Sequence, residues 1–294
     1  MDYTHSNTVR TLFFMLCILV TGTLSAKEVI KVPHGTDHNS LYTKDLLNLV
    51  IANAGGGFEV QIAKFDNLVT QERALQNTEE GNIDVMWTLT SKEIEKRLIP
   101  IRIPLFKGLF GYRVSLVHSS NRDIFKNVDS LADLKQFTLG QGKGWADTEI
   151  LLSNDLNVMQ TAKWQGLFHM ADGKRFDAYP RGLHEPAKEM PMIKEWGLDL
   201  IADEHILLVY RMPFYLFVSP KRPELARKLE EGFEKLVASG EFAEFFIKRN
   251  NIRELAVNLK LDQRKRFFLD NPHLPDSAPI DRAELWLEPS DLFQ

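Results

Sequence analysis

Short apolar runs alternate with segments of helical period along most of this chain, the pattern of mainly parallel sheets covered by helices. Residues 28–33 predict a strand stopped by Pro33 and Gly35. Residues 41–54 then carry Leu46, Leu47, Val50, Ile51 and Ala54 at helical spacing, with Asn39 or Ser40 placed to cap them. Three glycines at 55–57 turn the chain into a strand over 58–63. A polar helix through Leu75 ends at Gly81, and 83–87 form a short buried strand. Helix is expected over 91–98 and extended chain over 101–105. A second region begins near Gly111 with a strand over 112–117. A short helix over 130–134 and a strand over 137–139 lead into a glycine-rich turn at 140–144 and a helix over 145–155. Further strands are expected over 174–179, 198–202 and 214–218. A long amphipathic helix over 223–239 then sets Leu225, Leu229, Phe233, Leu236 and Val237 on one face. Four prolines after Asn271 predict a tail wrapped over the surface, pinned by Leu285, Trp286 and Leu287.

Residues 1–26 add a destination. Arg10, an apolar run over 12–20 and a small-residue close at 21–26 have the form of a cleaved secretory signal peptide. The run of about ten residues is far short of the ~20 that span a bilayer. Cys17, the only cysteine, follows Leu16, where a lipid-modified signal would carry a small residue. The mature chain is therefore expected to begin near Lys27, to be periplasmic and unanchored, and to rely on its core rather than on disulfides. Export also removes cytosolic nucleotides and reductants from its partners. Net charge is −4 and no Lys/Arg block suggests nucleic acid. The cluster Arg264-Lys265-Arg266 reads as a solvated helix face.

Several motifs, taken in order and spacing, carry a resemblance. They are Gly81-Asn82-Ile83-Asp84-Val85-Met86, Thr88-Leu89-Thr90, Pro104-Leu105, and Ser130-Leu131-Ala132-Asp133-Leu134-Lys135 before Leu139-Gly140-Gln141-Gly142. Arg175-Phe176-Asp177-Ala178 and Phe217-Val218-Ser219-Pro220-Lys221-Arg222-Pro223 follow. Over 28–249 the chain resembles an extracellular solute-binding protein of family 3, the amino-acid-receptor class of bacterial uptake systems. The resemblance implies an α/β, two-lobed periplasmic-binding-protein type II fold. Each lobe would be a mainly parallel sheet flanked by helices, and two crossing strands would let the lobes close on a small solute. Lobe I would be 27–106 plus 212–294 and lobe II 107–211, with the hinge near 104–108 and 209–214. It also implies a monomer that serves an inner-membrane permease of the ABC type. Two alternatives share the fold: a sensor subunit docking on a membrane receptor, and a dehydratase-like enzyme with Glu185 or Glu149 as general acid.

Candidate chemistry follows in the same frame. Glycines between a strand and a helix leave amides facing outward, and a helix N-terminus attracts anions. The turn at 140–144 adds Lys143, while Trp145 stands where a dinucleotide fingerprint needs glycine. A plain tight turn is the alternative. The resemblance places Gly142, Lys143 and Trp145 against the solute, and Thr88 and Thr90 across from them. An arginine three residues after Thr90 would grip a carboxylate, but Glu93 stands there. Arg102 and Arg97 are the nearest substitutes, unless each is a solvated surface charge. The acid expected five residues after Asp177 is replaced by Gly182 beside Arg181, which points to a polar or anionic solute. Glu185 is the nearest acid. It either takes the missing acid's place or forms a surface pair with Arg181. Tyr179, Tyr42, Trp87 and Trp145 are aromatic candidates for the cleft. His34 and His38 lack a third ligand at metal spacing, and no nucleophile elbow, P-loop or His-Glu-x-x-His motif is present. Neither metal, cofactor nor catalysis is expected.

Overall fold

The computed structural model describes residues 27–35, 38–63 and 71–287; the secretory segment read over 1–26 lies outside the described residues. The chain opens with β1 (Glu28–Val32), α1 (His38–Asn53), β2 (Phe58–Ile62), α2 (Gln71–Glu80), β3 (Val85–Leu89), α3 (Lys92–Arg97) and β4 (Ile99–Ile101). A second group follows: β5 (Tyr112–His118), α4 (Leu131–Leu134), β6 (Thr138–Gly142), α5 (Ala146–Ser153), β7 (Asn157–Thr161) and α6 (Trp164–Asp172). It continues through β8 (Tyr179–Gly182), α7 (Pro186–Glu195), β9 (Leu200–Ala202) and β10 (Ile206–Val209). The chain then returns through β11 (Phe214–Val218), α8 (Pro223–Ser239), α9 (Glu241–Arg249), α10 (Ile252–Asn258) and β12 (Lys265–Phe268).

Local chemistry explains several of these boundaries. Pro223 starts α8, where its missing N–H has no helical partner to lose, and Gly240 ends it at a φ of 82°. Ser130 and Asp133 form a reciprocal cap on α4, and the Ser91 side chain caps α3. The apolar face of α8 buries Leu225, Leu229, Phe233 and Leu236 against α1. Gly232 permits the close approach, since a Cβ there would lie 2.5 Å from the carbonyl oxygen of Val50. Each of those side chains contributes roughly 1.5–3 kcal/mol by leaving water.

The strands form two sheet systems. In the first, β1 and β2 pair in parallel, and β11 lies antiparallel between β3 and β4. Asp84 stitches these pairs together: its carboxylate accepts the Lys31 amide at 2.8 Å, and its own amide donates to the Lys31 carbonyl at 2.9 Å. The second has the order β12-β10-β5-β8, with β9 also on β5. The parallel pair β6–β7 joins it through the bridge Leu139–Ala178. The sequence pattern predicts mainly parallel sheets. Parallel pairing holds for β1–β2, β6–β7 and β10–β12, and antiparallel pairs enter at β11 and around β5, where the chain crosses between the systems.

Two crossings run side by side: the Leu105 amide donates to the Phe214 carbonyl at 2.9 Å, and the Tyr210 amide to the Gly111 carbonyl at 3.0 Å. The tail adds more. The sequence reading assigns all of 212–294 to the first lobe and 264–266 to a helix face, yet β12 is hydrogen-bonded into the second sheet. Arg264 is buried there, donating to the carbonyls of Leu259 and Ile206 and pairing with buried Asp203. Three successive basic residues hide this strand: Arg264 just before it is buried, while Lys265 and Arg266 within it are exposed. From β12 the tail recrosses. Leu285, Trp286 and Leu287 are buried as the sequence predicts. The Trp286 ring covers Gly108, whose φ is 75°, and the Arg211 guanidinium lies 4.6 Å from that ring. Trp286 is thus wedged between both crossings.

A buried ion network beside the crossings

Strand β5 leaves the first crossing with Arg113 opposite Gly182 of β8, and Arg181 is the next residue along. Both arginines are buried, at 6% and 5% exposure. Arg181 Nε donates to both oxygens of Glu189 at 3.1 and 3.0 Å, and its Nη2 to Glu189 at 2.5 Å and Glu185 at 2.9 Å. The other Glu185 oxygen accepts the Gly182 amide at 2.5 Å and lies 3.5 Å from Arg113 Nη1. Arg113 Nε donates to the Tyr210 hydroxyl at 2.9 Å, its Nη2 pairs with Asp147, and that hydroxyl donates to Asp147 as well. Aromatic faces complete the setting: Arg181 lies 4.7 Å from the Tyr179 ring and 5.9 Å from Trp145.

Burial and pairing pull these groups apart. Desolvation works against the charge on Arg113, yet Asp147, Tyr210 and Glu185 hold its pKa above the ordinary range. Burial alone would raise Glu185, but Arg181 and Arg113 hold it below the usual carboxylate range. Burial lifts Glu189 above that range in spite of Arg181. His184 is pushed down to about 4 by burial, and its Nδ1 has no partner.

The network faces the first sheet across the crossings. The Phe110 ring lies 5.2 Å from His184 and 5.3 Å from Phe214 of β11, and Met212 Sδ accepts from Arg113 at 3.6 Å. One residue on, the Pro213 carbonyl accepts the Thr90 amide at 3.1 Å. The Thr90 hydroxyl donates to Glu95 at 2.8 Å, and Glu95 also receives Arg102 at 2.7 and 3.2 Å and Ser277 of the tail at 3.2 Å. Buried Thr88 accepts from Gln71 at 3.0 Å.

These positions revise several expectations. Arg97 is tied to Glu72 and Glu79 at 2.9 Å each, and Arg102 to Glu95, so neither presents a free guanidinium. Arg181 forms no surface pair and presents no unmatched charge. The turn at 140–144 is in part strand, and its glycines make room for rings: a Cβ on Gly140 would lie 2.2 Å from Phe176, and one on Gly142 2.1 Å from Trp145. The Lys143 and Trp145 amides already donate to Thr161 and Gly142, and Asp147 and Glu149 sit in the first turn of α5. That turn is closed to an anion. Lys143 and Glu149 are exposed. Tyr42 is core, stacked on Phe106 at 4.5 Å with its hydroxyl on the Leu105 carbonyl, and Trp87 packs against the same core. His34 is exposed, and no metal-competent group of three ligands occurs among the described residues. Sequence reasoning missed Arg113, Asp147, Glu189, Tyr210 and Glu95. An arginine inside the otherwise apolar run of β5 was the one available signal.

Comparison with known proteins fixes the fold. No family model matches the chain, and no curated relative does either. Among solved structures, the "probable amino-acid ABC transporter extracellular-binding protein" of Bacillus subtilis matches with a TM-score of 0.58 at 12% identity, over 76% of this chain and 97% of its own. A substrate-binding domain attributed to an amino acid ABC transporter of Streptococcus pneumoniae matches with a TM-score of 0.50 at 17% identity, over 76% and 99%. The fold is the two-lobed α/β architecture of such binding proteins. No described helix is long and apolar enough to cross a membrane.

Proposed function

We propose that the protein is an exported solute-binding protein, capturing a small polar solute between two lobes and delivering it to a membrane permease. Lobe I is 27–106 with most of 212–294, and lobe II is 107–211 with β12 added. One observation carries the reading. Polar groups beside the first sheet (Thr88, Thr90, Glu95, Arg102) and beside the second (Trp145, Arg181, Glu185) lie on either side of the paired crossings, linked by contacts of Phe110, Met212 and Pro213. Rotation about those crossings brings the two sets together, and a solute touching both favours the closed state. The residues proposed to line the cleft are Thr88, Thr90, Gly142, Trp145, Tyr179, Arg181 and Glu185.

A lyase on this scaffold needs a carboxylic acid to donate a proton. Glu185 is held ionised by two arginines and Glu149 is exposed, which favours binding over catalysis. A thermal-shift screen of amino acids, dicarboxylates, amines and short peptides on the periplasmic protein tests the reading. At least one compound is expected to raise the melting temperature, and X-ray scattering at saturation to give a smaller radius. A protein indifferent to every class, or an unchanged radius with a confirmed solute, overturns it.

A further inference from the structure

The arginines around the cleft are matched before any solute arrives. Arg102 is held by Glu95, whose side chain is only 8% exposed, and Arg97 by Glu72 and Glu79. In the second lobe two guanidinium groups, Arg113 and Arg181, meet three carboxylates, Asp147, Glu185 and Glu189. The cluster carries one negative charge in excess, and it is buried. Three oxygens of the same sheet region are buried with no hydrogen-bond partner among the described residues: the Tyr179 hydroxyl, Gln141 Oε1 and Ser115 Oγ. Tyr179 and Ser115 flank Pro180 on opposite faces of the sheet, Tyr179 on the face of Arg181, and Gln141 Nε2 donates to the Pro180 carbonyl at 3.3 Å.

We infer that the cleft takes a cationic solute without a free carboxylate, an amine or guanidinium compound whose positive group completes the excess charge beside Glu185 and Glu189. This rests on the solute-binding reading. A solute carboxylate would have to draw Arg181 away from its partners, leaving Glu189 buried and unpaired, which is strongly unfavourable. An ammonium or guanidinium needs no such exchange. It brings donors and no acceptor, which suits the three carboxylates of the cluster, groups that only accept. Burial already lifts Glu189 above the ordinary carboxylate range, and the neighbouring Glu185 carboxylate pushes the same way. The half-buried Trp145 ring supplies a face that suits a second cation as it suits Arg181. The one exposed cation of the turn, Lys143, lies in water, where a pair with a solute carboxylate contributes little.

Titration calorimetry of the mature protein with matched probes tests this. Agmatine and putrescine carry the cation alone, arginine adds an α-carboxylate to the same guanidinium, and glutamate and succinate are anionic. Agmatine or putrescine is expected to bind at least ~10-fold more tightly than arginine, with no heat from glutamate or succinate. Glu189→Gln, checked for folding by its circular-dichroism melt, is expected to weaken the amine ~10-fold or more while leaving Arg181 its pair with Glu185. Arginine, glutamate or succinate binding as tightly as the amines overturns the inference and leaves solute binding intact. Unchanged amine affinity in folded Glu189→Gln overturns the assigned place of the cation. Silence towards every class in the wider screen removes the solute-binding reading along with it.

Discussion

Two arginines, Arg181 in the second sheet and Arg102 beside the first, hold carboxylates in opposite ways. Arg181 is almost wholly buried, grips Glu189 with two nitrogens, shares Glu185 with Arg113, and lies over Tyr179. Arg102 has a side chain 40% exposed and one partner, Glu95, which two hydroxyls also satisfy. The first is a network whose members lose their solvation together and depend on one another. The second is an ion pair with only its arginine at a wet edge, while its buried carboxylate keeps two hydroxyl donors besides. In the proposed cleft, one rigid charged wall would fix a solute's charge and one adaptable wall would accommodate its size.

The sharpest way to break this contrast is to remove each arginine in turn. Arg181→Met leaves Glu189 and half of Glu185 buried without a cation, and urea unfolding is expected to report a loss of about 3–5 kcal/mol. A loss under 1 kcal/mol would make the network an ornament of the surface. His184 lies between the two walls and supplies a pH test. Its pKa is pushed down to about 4 by burial, so the folded protein binds that proton more weakly than the unfolded chain does. The contribution is whole above about pH 6.5 and drains away as pH falls toward 4, by roughly 2–3 kcal/mol across the window. Unfolding of His184→Asn measured beside the wild type should lack that component, and parallel pH profiles would refute it. Arg102→Gln should cost the least, up to about 1 kcal/mol, since Glu95 keeps Thr90 and Ser277. A loss matching that of Arg181→Met would erase the difference between the walls.

Elements marked by local chemistry were legible in the sequence. Helix α8 runs from Pro223 to Ser239 as read, because a proline, a five-residue apolar stripe and Gly240 all speak locally. Strand β8 was read at 174–179 and lies at Tyr179–Gly182, since Pro180 disguises it as a turn. Strand β7 and helix α6 went unread beside it, as did β10, α7, α9 and α10. The site was less legible than the fold. Glu185 as a neighbour of Arg181 follows from a spacing of four. Glu189 grips the same arginine from eight residues away, across a strand end and a turn, where no period links them. Asp147 and Arg113 meet only through tertiary packing. The expectation of a polar or anionic solute counts the charge of Arg181, while the acids folded against it, Glu185 and Glu189, come into view only in three dimensions.

The wedge of Trp286 has a consequence for how the chain reaches its native state. Lys107 and Glu284 are 177 residues apart, Tyr112 and Leu287 175, and both contacts are made by the turn where the crossings meet. Closing loops of that span is slow, and synthesis delivers the N-terminal side first. The link between the crossings is therefore the last part of the described chain to be finished, and the two sheets can assemble before it closes.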